Sequence, residues 1–418
     1  MKKLAILLAA GALFLGTAAS AQDEVKDYHF KPYGFIRNYA FFDSRATKSL
    51  TEDMFFFLPL DENVVGGNDV NAVSSYNFQA ITTRLGLDVL GYEINGVKMG
   101  GKIEGDFYCL SGTVGVFRMR QAYMTLGWDK SSLLIGQTWH PMAADMAHCI
   151  NLETAAPFSP FNRSAQIQYN LNIGGGVSFT GALIENMQYI SNGPDGKTNK
   201  YQRHAIPEIY AGLSFKKGGF LGRAGVDILT LRPHYGYESK TGKKYDEWFM
   251  SYSPFLYLQY TAGDFQIKAK TTYGQAADNM QMNSGYAVCG IKADGISAEY
   301  TPFQNWTSFL SAQYKLSPRW TLMGMAGYHK NLGTIEAIYD GNANGKMDDY
   351  YFSSNGFANI DSIIRFTPTV MYTLGRFQFA LEYDFTTAAY GTLDHYGMVS
   401  EAHNVTNHRI LTMVKFNL

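Results

Sequence analysis

Three groups of residues in this 418-residue chain have the types and spacing for chemistry. Asp340, Asn342, Asn344 and Asp348 fall at positions one, three, five and nine of a run with Gly345 at position six. At that spacing oxygen ligands wrap a hard cation while glycine makes the sharp turn. Position twelve is Tyr351 in place of a bidentate Glu, with Asp349 available as a substitute. The run 340–349 is therefore either a Ca2+ site or a polar turn of the kind Asn, Asp and Gly build on a surface. No other motif calls for a cofactor.

The second group is a set of charges recurring in steps of two, each row opposed by an apolar one. Lys98, Lys102, Glu104 and Asp106 alternate with Val97, Met99, Ile103 and Phe107; Arg376, Glu382 and Asp384 alternate with Phe377, Phe379, Leu381 and Phe385. Arg84 with Asp88, Lys268 with Lys270, Arg365, and Arg409 with Lys415 occupy equivalent rows. Successive side chains of a strand point to opposite faces, so each segment has one oily and one charged face. Facing a common lumen, such rows make rings of mixed charge with a slight basic excess, which favours anionic solutes. The plainer alternative is that they only hydrate that lumen.

The third group lies in segment 140–163, which holds His140, Asp145, His148 and Glu153 together with Pro141, Pro157, Pro160, Phe158 and Phe161. Proline and aromatic content keeps a loop compact. Such a loop, folded inward, forms a constriction, with Asp145 and Glu153 expected to face basic residues on the opposite wall.

The elements that position these groups follow from the same alternation. Segments of roughly ten residues are joined by linkers that are alternately tight and long. Seven tight turns, such as Asn172-Ile173-Gly174 and Leu374-Gly375-Arg376, separate eight longer connections near 44–77, 108–115, 140–163, 188–204, 232–249, 275–300, 332–360 and 387–406. That count requires sixteen antiparallel strands with both termini on the side of the tight turns. Segments 232–249 and 275–300 are long enough to hide another hairpin. In the final stretch, His408 to Leu418, Ile410, Thr412, Val414, Phe416 and Leu418 form one row, and Arg409, Leu411, Met413, Lys415 and Asn417 the other. It is long enough for a tilted membrane-crossing strand.

Residues 1–21 have the layout of a cleaved secretory signal: Lys2 and Lys3, an apolar core from Leu4 to Leu15, and Ala19-Ser20-Ala21. Lys2 and Lys3 leave with it, so 35 basic residues become 33 against 36 acidic ones, a net of −3 that suggests no nucleic-acid partner. No later run is long and apolar enough for a membrane helix. The charged fraction is 17%, below the roughly 25% of soluble domains, while aromatics reach 15%, as interfacial girdles require. The expected fold is all-β: a transmembrane antiparallel barrel of about 16 strands over 33–418, with short periplasmic turns and long extracellular loops, after a short periplasmic segment 22–32. A soluble sandwich also alternates, but combines strand number, signal and loop asymmetry less readily. Arg118 and Arg120 share a face with Ala122, Met124 and Leu126, which leaves a bulge, lipid headgroups or a neighbouring subunit as explanations. Cys109, Cys149 and Cys289 are expected mainly as thiols, with a Cys109–Cys149 bond as the alternative.

A sixteen-strand barrel leaves an aqueous channel. The runs Thr83-Arg84-Leu85-Gly86-Leu87, Gly100 to Phe107, Phe117-Arg118-Met119-Arg120-Gln121-Ala122-Tyr123 and Leu134 to Trp139 resemble the DcaP-like porins of Gram-negative outer membranes. That resemblance is good over 33 to about 175 and beyond it rests on strand pattern alone. It implies a trimeric, water-filled channel for passive diffusion of small hydrophilic, often anionic, solutes. The residues expected to line it are Arg84, Asp88, Lys98, Lys102, Glu104, Asp106, Lys268, Lys270, Arg365, Glu382, Asp384, Arg409 and Lys415. The partners it implies are outer-membrane lipid and lipopolysaccharide, the barrel assembly machinery and two further copies of the chain. Members of that family can carry a coiled coil after the signal, for which 22–32 is too short, so trimers would rest on wall contacts. A substrate-specific channel, a surface recognition barrel and, from another class, a barrel hydrolase are the alternatives. No nucleophile or zinc-protease motif supports the last, and no enzymatic activity is expected.

Overall fold

The computed structural model describes residues 29–50, 54–110, 113–198, 206–341 and 349–418. The signal segment 1–21 and residues 22–28 lie outside them. Sixteen long strands close into one antiparallel barrel: β1 His29–Asp43, β2 Arg84–Ile94, β3 Val97–Leu110, β4 Thr113–Gly127, β5 Ser131–Trp139, β6 Arg163–Gly174, β7 Val177–Glu185, β8 Glu208–Lys217, β9 Phe220–Leu231, β10 Phe249–Ala262, β11 Phe265–Gln275, β12 Ala298–Lys315, β13 Trp320–Thr334, β14 Ile360–Leu374, β15 Phe377–Leu393 and β16 Val399–Asn417. Because β1 begins at His29, residues 29–32 belong to the wall, not to the expected periplasmic segment 22–32.

The seam joins the chain's two ends. Phe35 to Asp43 of β1 pair with Asn417 to Arg409 of β16, and the Leu418 amide donates to Gly34 O at 3.0 Å. Arg409 grips its register partner Asp43 through two contacts of 2.8 Å, and Asn407 donates to the same carboxylate at 2.6 Å. Bidentate guanidinium–carboxylate geometry adds direction as well as energy, so this buried pair also fixes the closing register.

The tight turns lie where the alternation placed them. Asn95-Gly96 adopts φ +50° and +78°, the two left-handed residues that match a hairpin to strand twist. At the opposite end the eight connections are less uniform than expected. β3 ends at Leu110 and β4 resumes at Thr113, while β15 and β16 are joined by only 394–398. Two of the eight expected long loops, 108–115 and 387–406, are thus short, because alternation continues through residues whose polarity had suggested loop. The two segments suspected of hiding a hairpin do contain extra pairing. A small hairpin joins Gly236–Tyr237 to Lys244–Tyr245, and Gly285–Ile291 pairs with the start of β12. Neither adds a stave to the wall.

The outward rows are exposed and apolar: Ile364, Phe366, Leu381, Ile410 and Val414 among them. Trp128, Tyr260, Tyr314, Trp320 and Phe377 stand outward beside the tight turns as an interfacial girdle. A charge at mid-depth on this face costs about 2–4 kcal/mol, which forces the charged rows inward.

Much of the lumen is filled. Three outer loops fold into it and share one hydrophobic cluster: Phe55, Phe56 and Leu58 from the first, Met142, Phe158 and Phe161 from the third, and Ala277, Met280 and Met282 from 276–284. Phe55–Pro59 is buried along its whole length and pairs with Thr47–Leu50. Burying Phe55, Phe56, Phe57 and Leu58 gains about 6–12 kcal/mol.

Candidate functional site: the lumen constriction

The charged rows of β1 to β4 converge on one cavity. Arg37 on β1, Arg84 on β2, Arg118 and Arg120 on β4 and Lys415 on β16 line one side of a space of about 480 Å3. Glu104 and Asp106 on β3 lie among them. Arg120 donates to Glu104 at 2.7 Å and to Asp106 at 2.9 Å, and Arg118 donates to Asp106 at 2.7 Å. The phase problem at Arg118 and Arg120 is solved by a bulge. Glu104 pairs with Gln121 but Gly105 with Met119, so Arg120 is the extra residue and both arginines turn inward. Below them Lys102 bridges Asp88 at 2.7 Å and Tyr33 at 3.0 Å. Lys98, four residues nearer the tight turn, is exposed at the rim.

Facing the arginines is the inner limb of the third loop, from Met146 to Glu153. Glu153 lies 3.1 Å from Arg37, which is itself held by Thr82 at 2.6 and 3.0 Å. Burial deep in the barrel would raise the Glu153 carboxyl, but Arg37, Lys415, Arg84 and Arg120 overcome it and hold it down to about 2. It still exposes 45% of its side chain to lumen water, so it is ionised and within reach of a passing solute. His148, on the same limb, is pushed down to about 4 by burial and by Lys268, and is neutral at pH 7. Met146, Met323, Met371 and Met413 complete the cavity with an apolar flank. Five cations thus surround the cavity against Glu104 and Glu153 on its lining and Asp106 paired to Arg118 and Arg120, which leaves an excess of two positive charges.

His140 and Asp145 do not face this space. Asp145 is buried and pairs with Arg223 at 2.6 Å, with Lys270 at 3.6 Å. Arg223 also donates to Pro141 O at 2.9 Å, and Lys270 to Met142 O. His140 is fully buried; its Nδ1 accepts from the Met142 amide and its Nε2 faces Glu208 at 2.8 Å. Both residues anchor the constriction loop to the wall, and only Glu153 of the three meets the passage. Asp145 does meet basic residues, but in contact with them, so its charge is spent locally.

The same holds for much of the row expected to line the lumen. Arg365 donates to Ala156 O at 3.0 Å and Phe57 O at 2.7 Å, clamping the third and first loops at once. Phe57 is stacked between Arg365 and Arg409, 4.0 and 3.9 Å from its ring centre. Glu382 accepts from the Ile150 amide at 2.7 Å, Lys268 donates to Met146 O at 3.0 Å, and Asp384 lies 3.7 Å from Arg365. Arg84, Glu104 and Lys415 line the cavity, while Lys270, Arg365, Glu382, Asp384 and Arg409 lie beneath loops. Arg37, Arg118, Arg120 and Arg223 were not singled out as lining residues. Arg37 shares its inward row with Phe35, Tyr39 and Phe41, and this aromatic company hid its lumenal position.

In the loop 340–349, the Asp349 carboxylate accepts from the Gly341 amide at 2.9 Å and clips the base. Asn342, Asn344 and Asp348 lie outside the described residues, as does the side chain of Cys109. Cys149 is a buried free thiol.

The barrel overlays the outer membrane channel DcaP of Acinetobacter baumannii with a TM-score of 0.68, covering 94% of this chain and 97% of that one at 17% identity. The fold is that of an outer-membrane channel. Weaker likenesses follow: OmpT of Vibrio cholerae at TM-score 0.53 and 10% identity, over 94% of this chain and all of that one, and Salmonella typhi OmpF in complex with daunomycin at 0.51 and 12%, over 93% and 97%. No protein-family model matches the chain, and no curated protein matches it. The DcaP-like fold agrees with the resemblance carried by Thr83–Leu87, Gly100–Phe107, Phe117–Tyr123 and Leu134–Trp139. These runs lie on or beside β2 to β5, and those strands supply most of the arginine side of the cavity.

Proposed function

We propose that this chain is an outer-membrane porin through which small hydrophilic anions diffuse passively past Arg37, Arg84, Arg118, Arg120 and Lys415. The observation that carries this reading is the cavity of about 480 Å3 inside a closed barrel, with five cations against the three carboxylates Glu104, Asp106 and Glu153. In a confined lumen the dielectric constant falls below that of water, so unbalanced cations attract anions more strongly than on an open surface. The arginines present fixed forks of N–H donors, which suits carboxylate and phosphate groups.

The first loop favours a selective channel over a wide diffusion pore. Phe55–Pro59 and the third loop both occupy the lumen, and the cavity left beside them is lined by methionines as well as by the arginines. A channel is the reading the geometry supports, because the cavity lies inside a closed barrel and its lining carries more cations than carboxylates.

The chain acts as a homotrimer in outer-membrane lipid, inserted by the barrel assembly machinery. Support for the trimer is indirect: one Vibrio cholerae OmpT structure with a TM-score of 0.52 is described as a trimer form. Stepwise conductance in planar bilayers, with a reversal potential toward the anion side, tests the function. Cross-linking of the detergent-extracted protein tests the trimer. A Ca2+ in the loop 340–349 is tested by calcium calorimetry on the folded barrel, where absence of heat at millimolar metal removes it.

A further inference from the structure

His140, Glu208 and Asp227 offer one imidazole nitrogen and two carboxylate oxygens that lie within 4.8 Å of one another, all buried. They come from three places in the fold: the first residue of the constriction loop, the start of β8 and the middle of β9. Nε2 of His140 is 2.8 Å from Glu208 Oε1 and 3.4 Å from Asp227 Oδ1. Among the described residues no Lys or Arg pairs with either carboxylate. Arg223, the nearest candidate by sequence, is committed to Asp145 and Pro141.

Two observations point to a missing partner. Asp227 Oδ1 and Asn279 Oδ1 are buried and make no hydrogen bond. Asn279 is 2% exposed and donates its amide nitrogen to Glu208 at 3.4 Å, and because its oxygen has no partner the amide can turn to present that oxygen to an ion. Asn186, the other amide there, is fixed by Asn162 and Ser164 with its nitrogen toward Glu208 and is not a ligand. The two buried carboxylates share one imidazole as their positive partner, so at most a single charge is compensated there, and a divalent ion offsets both.

We propose that His140, Glu208 and Asp227, with Asn279 as a fourth donor, form a binding site for a divalent first-row metal ion of the zinc type. Zinc bonds of about 2.0–2.2 Å in a tetrahedron place ligand atoms about 3.3–3.5 Å apart, so Asp227 already stands at the right separation and Glu208 must open by about half an ångström. An imidazole with three oxygens suits zinc, whereas calcium takes six to eight oxygens, more than this enclosure supplies. Because Nδ1 accepts from the Met142 amide at 3.1 Å, the single ring proton of His140 sits on Nε2; an ion bound at Nε2 shifts that same proton to Nδ1, which can then no longer accept. Loading therefore releases that cap of the short helix Pro141–Ala143 and resets the first turn of the constriction loop. The site ties the loop's entry to β8, β9 and the loop 276–284.

The test uses the full chain, purified in detergent and stripped with a chelator, titrated with Zn2+ by calorimetry and crystallised for anomalous scattering at the zinc edge. One zinc per chain is expected, with an anomalous peak among His140, Glu208 and Asp227 and at least a tenfold loss of affinity in Asp227→Asn and His140→Gln. Heat-dependent gel mobility reports that these variants retain the barrel. Absence of stoichiometric zinc in the wild-type chain, a peak elsewhere, or undiminished affinity in Asp227→Asn overturns the proposal. If both variants fail to fold, the position of the wild-type peak alone decides.

Discussion

Glu153→Gln changes one charge on the lining of the lumen cavity and little else. The side chain keeps its size, and Arg37 keeps both contacts to Thr82. The left-handed backbone at Glu153, φ +57°, is no worse for Gln than for Glu. An ion passing about 8 Å away feels the lost charge by about 0.5 kcal/mol at the dielectric constant of water and about 2 kcal/mol at an effective value near 20. Glu153 is half exposed to lumen water, so the lower figure applies. An anion gains about 0.5 kcal/mol and a cation loses as much, and the resulting 1 kcal/mol changes the anion-to-cation permeability ratio about fivefold. The assay is the reversal potential across a tenfold KCl gradient, with 0.01 and 0.1 M on the two sides. The shift should vanish at molar salt, where the Debye length is about 3 Å. It should be constant from pH 8 to pH 4, because Glu153 is held down to about 2. Its folded pKa lies below the ordinary 4.5, so its contribution to stability is complete above 4.5 and is lost as pH falls through about 2. An unchanged reversal potential at low salt would refute the placement of this carboxylate in the ion path.

Arg365→Met removes the donors to Ala156 O and Phe57 O, leaving two buried carbonyls unpaired at about 1–3 kcal/mol each; single-channel conductance should rise and flicker, the thermal midpoint should fall, and equality in both would contradict the double clamp. Gly327→Ala places a methyl 2.5 Å from the Phe158 ring, so it should displace the third loop and widen the channel, whereas an unaltered conductance would show that the loop does not seat there. Burial raises the Asp278 carboxyl to about 7 while Ser191 and Asn192 donate to it. Its folded pKa exceeds the unfolded 3.8, so its favourable share of stability is full below 3.8 and is lost as pH rises to about 7. The thermal midpoint should fall between pH 5 and pH 8, and Asp278→Asn should flatten that slope; a slope unchanged in the variant would assign it elsewhere.

The wall was legible in the sequence because strand periodicity is local. Ile410, Thr412 and Val414 point outward and Arg409 inward for no reason beyond alternation and the cost of charge in lipid. Periodicity fails where the backbone does, and Arg120 is the case in point: one bulged residue restores both arginines to the lumen, and only the partner strand reveals it. The interior was less legible. The run Phe55-Phe56-Phe57-Leu58 carries no period that distinguishes a buried plug from an exposed aromatic loop, and its place depends on Arg365 and Arg409, more than 300 positions away. For the same reason the inward charges on β11, β14 and β15 were assigned to solute when they hold loop carbonyls and amides. Asp145 and Glu153 look equivalent in sequence; tertiary contacts make one an anchor and leave the other at the passage.

The arginine side of the cavity is proposed to make the barrel an anion channel. The most direct test is the current carried by the purified wild-type protein in a planar bilayer, with the reversal potential measured across a KCl gradient at low salt. Stepwise conductance with chloride favoured over potassium, reduced toward parity in Arg37→Gln/Arg84→Gln, is the predicted result. A folded barrel that never conducts, or one that favours potassium, contradicts it.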